Sequence, residues 1–474
     1  MNQAKLALPK GRLMPDTSAM LDRARWGLSD YHEGTRSYRL SSQKFPGLAV
    51  KVFHEKDIPV QVAVGNYDLG ICGLDWVEEL LAKYPSAALV KLRDLGYAEG
   101  VVYVVAAGDG NRTELDGLRA RQDTIRLVSE YPNLAEAYAL KLRLRRFSVL
   151  PLWGGAEVYP PESADLALIS GKMGTSTFNH GLVPVDTVLG YQACLIANRD
   201  RWEDNDLSEL LASIEDGIVS RSTGNVDLSP PTSYLLSPIS YLSPTPGLVR
   251  LALPDGHQQA ATAALLNKAG IRIEDYPSPT GNRRPSVQDP TGVSVKVIRP
   301  QDMPAQVANG NFDLAVTGKD WVEDHLCQFP SSPVMELVDL KSAKVRIVAA
   351  VSNDLPVSDG YELRQFWSGR PHAVRVASEY VNIADKYARD NHFGRYRVIP
   401  TWGASEAFLP EDADLLIENT ETGRTIAQHN LKIIDTLFES TGCLIGNKKG
   451  MADPGKSAIM NAIRDALRKG VEAA

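Results

Sequence analysis

Gly73-Leu-Asp-Trp-Val-Glu78 recurs 245 residues later as Gly318-Lys-Asp-Trp-Val-Glu323, and this recurrence determines how the whole chain is organised. Other short motifs return at the same or nearly the same distance: Leu6-Ala-Leu-Pro9 and Leu251-Ala-Leu-Pro254, Asp57-Ile-Pro59 and Asp302-Met-Pro304, Cys194-Leu-Ile196 and Cys443-Leu-Ile445. A period this long is far above that of a solenoid repeat, so it indicates a duplicated domain. Two such copies can pair within one chain as the subunits of a symmetric dimer do.

The duplication predicts two successive units with a linker between them. The first unit takes residues 1–221, with lobes at about 1–98 plus 184–221 and at 99–183. The second takes residues 249–474, with lobes at about 249–341 plus 433–474 and at 342–432. The intervening residues 222–248 are rich in Ser and Pro, and prolines at this density forbid a helix and favour an extended course.

Composition and charge narrow the class of protein. The 474-residue chain is 43% hydrophobic and 23% charged, which is the balance of a soluble globular protein. Its formal net charge of -7 argues against a nucleic-acid partner, and no window approaches the roughly 20 apolar residues of a membrane span. The N-terminus lacks a signal-peptide pattern, so we expect a cytoplasmic protein. The four cysteines form no CxxC pair, and neither a disulfide framework nor a metal site is expected.

Apolar runs alternate with helical patterns in both copies. In the first copy, Lys5–Pro9 and Leu48–Phe53 have the pattern of buried strands, and residues 76–83 that of a helix. Such alternation predicts an α/β fold with mainly parallel sheets covered by helices. Each copy is expected to form two lobes with a cleft between them, where ligands bind at the carboxyl ends of strands.

The clearest functional pattern is Asp414-Leu-Leu-Ile-Glu-Asn-Thr-Glu-Thr-Gly-Arg-Thr425. Residues 414–417 predict a buried strand that ends at Glu418, and a helix is predicted over 426–431. A carboxylate at a strand end can accept hydrogen bonds from a ribose diol, while a Thr- and Gly-rich turn and a helix N-terminus face an anion. The pattern therefore favours a sugar-phosphate site over an ordinary capped turn. Its predicted binding residues are Glu418, Thr420, Glu421, Thr422, Gly423, Arg424 and Thr425.

The two copies differ where charge matters most. The first copy has Lys10-Gly-Arg12 at its first strand-to-helix turn, where basic side chains suit a pyrophosphate leaving group. The second copy has Asp255-Gly-His257 there, and Asp255 is expected to repel pyrophosphate. The sugar-phosphate loop shows the opposite bias. In the first copy it aligns with residues 165–176, where Ile169, Lys172 and Met173 replace Glu418, Glu421 and Thr422.

Together these motifs resemble the ATP phosphoribosyltransferase family of histidine biosynthesis. The resemblance covers nearly all of both copies outside the linker and is carried, besides the loop, by Ala7–Arg12, Asp57–Pro59, Asp68–Gly73 and Arg126–Asn133. It implies two bilobal units with the type II periplasmic-binding-protein-like fold. The implied reaction joins N1 of the adenine of ATP to the ribose of phosphoribosyl pyrophosphate (PRPP) and releases pyrophosphate, with Mg²⁺ carried by the pyrophosphate oxygens.

The resemblance also implies roles for particular side chains and for partners. It makes Lys10, Arg12 and Arg299 the candidate catalytic residues and Glu418 to Thr425 the PRPP-binding loop; the position of Arg299 is His54 in the first copy. Family subunits pair as dimers, so the tandem chain is expected to form an internal pseudo-dimer, and a further homo-oligomer stays open. The tandem arrangement itself departs from the usual family pattern.

Two other functions remain open from the residues alone. The loop identifies the sugar and not the base, so the acceptor can be a base other than ATP. Each copy also lacks half of the charged set, which is compatible with an inactive ligand-binding or regulatory homologue. Among catalytic assignments, the second copy is favoured, with the first as a degenerate partner. Catalysis at Lys10 and Arg12 is less favoured because the ribose would have no diol acceptor there.

Overall fold

The structure is a computed structural model that describes residues 4–35, 37–108, 117, 120–175, 177–204, 207–218 and 247–472. The predicted linker at 222–248 lies almost wholly outside these residues. The chain divides into two compact units. Unit 1 comprises Met1–Pro151, Tyr159–Ser240 and Trp402–Ala407, and unit 2 comprises Leu152–Val158, Tyr241–Thr401 and Phe408–Ala474.

Unit 1 contains two sheets, each covered by helices. The strands of its first sheet are β1 Lys5–Lys10, β2 Arg39–Leu40, β3 Ala49–His54, β4 Leu69–Gly73, β5 Leu89–Asp94 and β11 Ala193–Asn198, in the order β2-β3-β1-β4-β11-β5. Those of its second sheet are β6 Gly100–Ala107, β7 Ile125–Ser129, β8 Phe147–Pro151, β9 Leu166–Gly171 and β10 Leu182–Tyr191, in the order β10-β6-β9-β7-β8. Its described helices are α1 Met14–Arg23, α2 Asp57–Ala63, α3 Leu74–Lys83, α4 Pro132–Lys141, α5 Arg199–Asp204 and α6 Ser208–Gly217.

Unit 2 repeats this plan. Its first sheet has the strands β12 Val249–Pro254, β15 Val293–Ile298, β16 Leu314–Gly318, β17 Val334–Asp339 and β23 Gly442–Asn447, and a separate two-stranded ribbon is formed by β13 Arg272–Glu274 and β14 Ser286–Asp289. Its second sheet has β18 Val345–Ser352, β19 Val374–Ser378, β20 Tyr396–Pro400, β21 Leu415–Thr420 and β22 Leu431–Ser440, in the order β20-β19-β21-β18-β22. Its helices are α7 Gln259–Lys268, α8 Met303–Ala308, α9 Lys319–Gln328, α10 Gly360–Trp367, α11 Val381–Asp390, α12 Arg424–Gln428, α13 Lys448–Met451 and α14 Ser457–Glu472.

The predicted α/β architecture of two units with two sheets each is confirmed, but the sheets are mixed rather than mainly parallel. β1 runs parallel to β3 and β4, whereas β11 runs antiparallel to β4 and β5. The reason is the course of the chain, because β11 returns from the second sheet and enters the first in the opposite direction. β23 does the same in unit 2.

The strand that precedes this return lies in the second sheet. β10 pairs with β6 from Leu182 to Tyr191, so the second lobe of unit 1 runs past the predicted boundary between residues 183 and 184. In unit 2, β22 pairs with β18 as far as Ser440, beyond the predicted boundary at residue 432. Both strands are long and lie at a sheet edge. Each has a continuous strand pattern in the sequence, and that pattern gives no sign of which of the two sheets the strand joins.

Continuous apolar runs explain the central strands. Leu6, Ala7 and Leu8 in β1 are fully buried because helices cover both faces of the sheet, and such strands need apolar side chains on both sides. α1 starts at Met14 with Pro15 in its first turn, where the missing N–H has no helical partner to lose. None of the helices in the described part of the chain has the length and apolar character that a bilayer crossing demands.

Within each unit, a helix that follows a strand of the first sheet packs against a helix of the second lobe and so joins the two lobes. In unit 1 the ring of Trp76 on α3 stacks on Tyr131 with centroids 4.4 Å apart. One turn later the buried Glu79 carboxylate accepts hydrogen bonds from the backbone N–H groups of Asn133 and Leu134, at 2.9 Å each, where α4 begins. Burial nevertheless raises the pKa of Glu79 to about 7.

Unit 2 has the same contact with an aspartate. Trp321 stacks on Tyr380 with centroids 4.3 Å apart. The Asp324 carboxylate accepts from the N–H groups of Asn382 and Ile383 and from the Asn382 side-chain amide, all within 2.9 Å. We call Glu79 in unit 1 and Asp324 in unit 2 the lobe ties.

Candidate functional site

The predicted sugar-phosphate loop lies where β21 ends and α12 begins in unit 2. Glu418 is half-buried near the end of β21, and its Oε1 accepts from the backbone N–H of Asn419 at 2.9 Å. The side chains of Glu421, Thr422, Arg424 and Thr425 are exposed. The helix runs from Arg424 to Gln428, two residues earlier than predicted. The loop therefore presents a carboxylate, hydroxyls and the start of a helix together at one strand end.

Thr420 and Gly423 give the loop its shape. Thr420 is 8% exposed, and its hydroxyl accepts a hydrogen bond from the backbone N–H of Gly423 at 2.9 Å. Gly423 has φ of 77°, a left-handed conformation that side chains with a Cβ rarely adopt, so glycine is required there. Thr420, predicted as a direct ligand, is therefore placed as a support for the turn, while Thr422 and Thr425 stay on its exposed side.

A buried aspartate lies behind the loop. Asp320 is 5% exposed and receives hydrogen bonds from the hydroxyls of Tyr380 at 2.6 Å and Ser440 at 2.8 Å. The Tyr380 hydroxyl in turn accepts from the side-chain amide of Asn419 at 2.9 Å. Burial, followed by the Asp320 charge, holds the pKa of Tyr380 well above its usual value, so it stays a proton donor. This chain of contacts orients Asn419, the exposed residue next to Glu418.

The first turn of unit 2 does not carry the uncompensated negative charge that its sequence suggests. The buried Asp255 carboxylate pairs with Arg283 at 3.1 Å and with Arg299 at 3.3 Å. Arg283 also approaches Glu157 at 3.4 Å, a residue that belongs to the same unit. The expected repulsion of pyrophosphate by Asp255 is thus offset, because two guanidinium groups surround one carboxylate. Arg299 keeps 42% of its side chain exposed and remains available to a ligand.

In unit 1, the predicted catalytic Arg12 is taken up by internal contacts. Its Nε donates to Glu55 at 2.8 Å, its Nη2 to Asp75 at 2.7 Å and its Nη1 to the Tyr191 hydroxyl at 2.9 Å. The Tyr131 hydroxyl also donates to Asp75, at 2.8 Å. We call these five residues the Arg12 cluster.

The charges of the Arg12 cluster neutralise one another. Burial lowers the pKa of Arg12, but Asp75 and Glu55 outweigh that effect, so its pKa lies above the ordinary value and the guanidinium stays charged. For Glu55, burial raises the pKa and Arg12 opposes that rise. At the aligned positions unit 2 has His257, Pro300 and Ser440 in place of Arg12, Glu55 and Tyr191, so only the aspartate and one tyrosine of the cluster persist.

The other predicted residues of unit 1 also have internal partners. Lys10 donates from Nζ to the Tyr38 hydroxyl at 3.2 Å. His54 accepts at Nδ1 from the N–H of Lys56 at 3.3 Å. Burial, together with the charges of Lys56, Lys10 and Arg12, lowers the pKa of His54 to about 4, so it is neutral near pH 7. Lys10 and Arg12 thus belong to unit 1, whereas Arg299 and the loop belong to unit 2.

The loop of unit 1 keeps the turn without the functional side chains. Gly174 has φ of 76°, nearly that of Gly423. However, Ile169 stands at the position of Glu418, and the exposed Met173 at that of Thr422. The hydroxyl of Ser170, which aligns with Asn419, makes a short hydrogen bond with Tyr191 of the Arg12 cluster. Unit 1 therefore preserves the backbone of the turn but lacks the carboxylate that could bind a diol.

A metal ion at this site would take most of its ligands from the substrate. Among the described residues, no three His, Cys, Asp or Glu side chains lie together so as to hold a metal ion. Mg²⁺ commonly binds through one or two protein carboxylates together with substrate phosphates. Glu418 and Glu421 are the two carboxylates of the predicted loop, and they would be the protein's contribution to such a site.

Sequence reasoning missed two polar residues of this site. Arg283 lies in the stretch between β13 and β14, and its role depends on a contact with Asp255, 28 residues earlier, that no motif announces. Asn419 belongs to the predicted loop but has no predicted function. Its position beside Glu418 is a signal in the sequence, whereas its hydrogen bond to Tyr380 depends on the fold.

Comparison with known proteins shows the same duplication. A family model for ATP phosphoribosyltransferase (HisG) matches residues 54–216 and 299–469, one segment in each repeat. The ATP phosphoribosyltransferase of Pelotomaculum thermopropionicum is 33% identical over 217 residues, which cover 44% of this chain and 68% of that protein. The enzyme of the same name from Solibacter usitatus is 33% identical over 230 residues, covering 48% of this chain and 74% of that protein.

Among solved structures, the ATP phosphoribosyl transferase (HisG:HisZ) complex from Thermotoga maritima is similar to this chain with a TM-score of 0.39. The two are 20% identical, and the match covers 48% of this chain and all of that one.

The fold defines a duplicated α/β protein with two sheets in each unit, and the predicted sugar-phosphate loop carries its carboxylate in unit 2. The family match extends over more than half of the chain, in both repeats. The chain belongs to the ATP phosphoribosyltransferase (HisG) family, whose members are pentosyltransferases, and the resemblance noted in the sequence is confirmed.

Proposed function

We propose that the chain transfers the phosphoribosyl group of PRPP to N1 of the adenine of ATP, and that unit 2 carries the reaction. The observation that supports this most strongly is the loop Glu418 to Thr425 on its left-handed Gly423 turn. The aligned loop of unit 1 has the same turn and lacks the carboxylate. Family membership supports the reaction type, and the loop supports the choice of unit.

Each part of the loop has a role in holding PRPP. The half-buried Glu418 carboxylate accepts hydrogen bonds from the two ribose hydroxyls, as a fixed acceptor beside Asn419. Thr422, Thr425 and the first N–H groups of α12 face the 5-phosphate, because the early N–H groups of a helix have no partner within the helix. Glu421 and Arg424 flank this turn on its exposed side.

The chemistry needs positioning more than proton transfer. The neutral N1 atom uses its lone pair to form a bond to C1 of the ribose, and the C1–O bond to pyrophosphate breaks with its electron pair leaving on pyrophosphate. Mg²⁺ bound to the pyrophosphate oxygens would offset part of this charge. Arg299, with its half-exposed side chain beside Asp255 and Arg283, is the cationic side chain of unit 2 that we assign to the leaving group. An in-line arrangement of the reactants supplies the remaining acceleration.

Unit 1 has a supporting role in this proposal. Arg12 is engaged by Glu55, Asp75 and Tyr191, so it has few donors left for pyrophosphate. Lys10 is bonded to Tyr38. With no diol acceptor at its loop, and with Lys10 and Arg12 engaged, unit 1 is the degenerate half of an internal pair.

Ligand binding and turnover by the whole protein test this function. PRPP with Mg²⁺ should raise the melting temperature, because a ligand that binds only the folded state stabilises it. Pyrophosphate release should then be measured with PRPP and a panel of acceptors that contains ATP, ADP, AMP and free purine bases. We expect release with ATP. Release only with a different acceptor would overturn the choice of base, and the absence of both stabilisation and release would favour an inactive homologue.

A further inference from the structure

One arginine beside the loop has no role in the assignments above. Arg346 is the second residue of β18, which lies between β21 and the edge strand β22 in the second sheet of unit 2. In the antiparallel register it lies directly opposite Thr420 of β21. Residues paired in this way project from the same face of a sheet, so the Arg346 side chain shares a face with the threonine that shapes the turn.

The guanidinium reaches the turn itself. Arg346 Nη2 lies 4.0 Å from the position that a Cβ atom would take at Gly423. Gly423 is the residue with the left-handed backbone, and the exposed Thr422 and Arg424 flank it. A group held against this turn is therefore within reach of the Arg346 guanidinium.

The Arg346 side chain lacks an acceptor among the residues that the structure describes. Within the described part of the chain, the half-buried guanidinium makes neither an ion pair nor a side-chain hydrogen bond. The acidic residue opposite it on β22, Glu439, pairs with Lys344 at 2.8 Å. Arg375 in the same sheet shows the usual state, because its donors bind Asp414 and backbone carbonyls. A partly buried arginine normally finds such acceptors, and a ligand anion can supply them.

Unit 1 provides an internal comparison. The residue opposite Gly171, at the position that matches Arg346, is the buried Val101. The same unit has Ile169 in place of Glu418. The arginine and the loop carboxylate are therefore present together in one unit and missing together in the other, as expected if both serve one ligand.

We propose that Arg346 binds the 5-phosphate of PRPP against the Thr422–Thr425 turn in unit 2. A guanidinium presents two parallel N–H donors that match a phosphate, and the Nη2 atom of Arg346 lies beside the Gly423 turn. The inference rests on the proposed function, and it adds a specificity residue for the phosphate end of the sugar.

The test uses the full chain and two separate probes in isothermal titration: ribose 5-phosphate for the phosphate end of PRPP and inorganic pyrophosphate with Mg²⁺ for the other end. Arg346→Gln should weaken ribose 5-phosphate binding by about 10- to 100-fold, the usual effect of losing a charge-assisted pair. Pyrophosphate affinity should change by less than about 2-fold. Arg346→Lys should recover part of the loss, which a merely structural role would not predict.

Lys344→Gln is the matched control, because Lys344 is an exposed basic residue that lies two residues before Arg346, immediately ahead of β18. It should bind both probes as the wild type does. Unchanged ribose 5-phosphate binding in Arg346→Gln, or an equal loss for both probes, overturns the assignment while the PRPP reaction stands. A wild-type protein that binds neither PRPP nor ribose 5-phosphate overturns both.

Discussion

Unit 1 and unit 2 have the same plan of sheets and nearly the same turn at the end of β9 and β21, yet they use their charges differently. In unit 1, Arg12 is engaged by Glu55 and Asp75, and the loop offers Ile169. In unit 2, Asp320 is satisfied by neutral hydroxyls, and Glu418 and Arg346 lie beside the turn. Duplication thus preserved in both halves the backbone of this turn, which we propose binds the phosphate of PRPP in unit 2. Whether it binds one depends on a few side chains at matched positions.

The largest expected effect comes from the loop carboxylate. Glu418→Ala removes the ribose diol acceptor and should lower kcat/KM for PRPP by about 100- to 1,000-fold, or about 3–4 kcal/mol of transition-state stabilisation. It should also abolish the rise in melting temperature with PRPP. Ile169→Ala in unit 1 is the matched control, and steady-state pyrophosphate release measures both. Equal losses in the two variants would contradict the division of labour between the units.

Removal of Arg12 should affect stability and not turnover. Arg12→Ala leaves Glu55 and the fully buried Asp75 without their cation. We expect the free energy of unfolding to fall by about 2–3 kcal/mol, which is less than for a fully buried pair because about a third of the Arg12 side chain is exposed. His257→Ala at the matched exposed position should cost less than about 0.5 kcal/mol. Urea unfolding combined with hydrogen exchange, which resolves each unit, measures the difference. A loss of turnover in Arg12→Ala at a temperature where the protein stays folded would return Arg12 to the catalytic set.

Acid should destabilise unit 1 through His54. Its folded-state pKa of about 4 lies below the ordinary value of 6.5, so the unfolded chain takes up a proton that the native state does not. The contribution of neutral His54 to the free energy of unfolding is present above pH 6.5. It is lost as the pH falls towards 4, by about 2–3 kcal/mol in total. Hydrogen exchange of the β1 and β3 amides across this range provides the measurement. His54→Gln should flatten the profile, and an unchanged slope would assign the acid sensitivity to another group.

Thr420 should produce the smallest effect. Thr420→Val keeps the shape of the side chain but leaves the N–H of Gly423 without its acceptor, which costs about 1 kcal/mol. We expect PRPP affinity to fall by about 5-fold through a less ordered turn. Thr436→Val, on the exposed part of β22, is the control. A loss as large as that of Glu418→Ala would instead make Thr420 a direct ligand.

Much of the fold could be predicted from the sequence, because duplication and apolar runs leave local patterns. The start of the second copy coincides with β12 at Val249, and the strand predicted over 414–417 overlaps β21, which continues through Glu418 to Thr420. Sheet membership could not be predicted in the same way. β10 has an ordinary edge-strand pattern, and only its pairing with β6 shows that it belongs to the second lobe.

The site was predictable to the extent that its residues are neighbours in sequence. Glu418 to Thr425 form one continuous segment, so strand, turn and hydroxyls could be recognised together. The surroundings of Asp255 depend on Arg283, from a distant loop, and on Arg299, from the stretch after β15. Arg346 is a single basic residue in an apolar strand, and only the register with Thr420 connects it to the turn. Contacts between distant segments depend on packing, and no local pattern reports them.

The lobe ties have a consequence for how the two lobes of unit 2 can move. Asp324 joins α9 to the start of α11 through three hydrogen bonds, so the lobes of unit 2 cannot separate at that edge without breaking them. A change in the angle between the lobes that keeps these bonds must therefore pivot about this edge. Hinges in proteins commonly lie at the ends of such elements, where a few residues absorb the change in backbone angles.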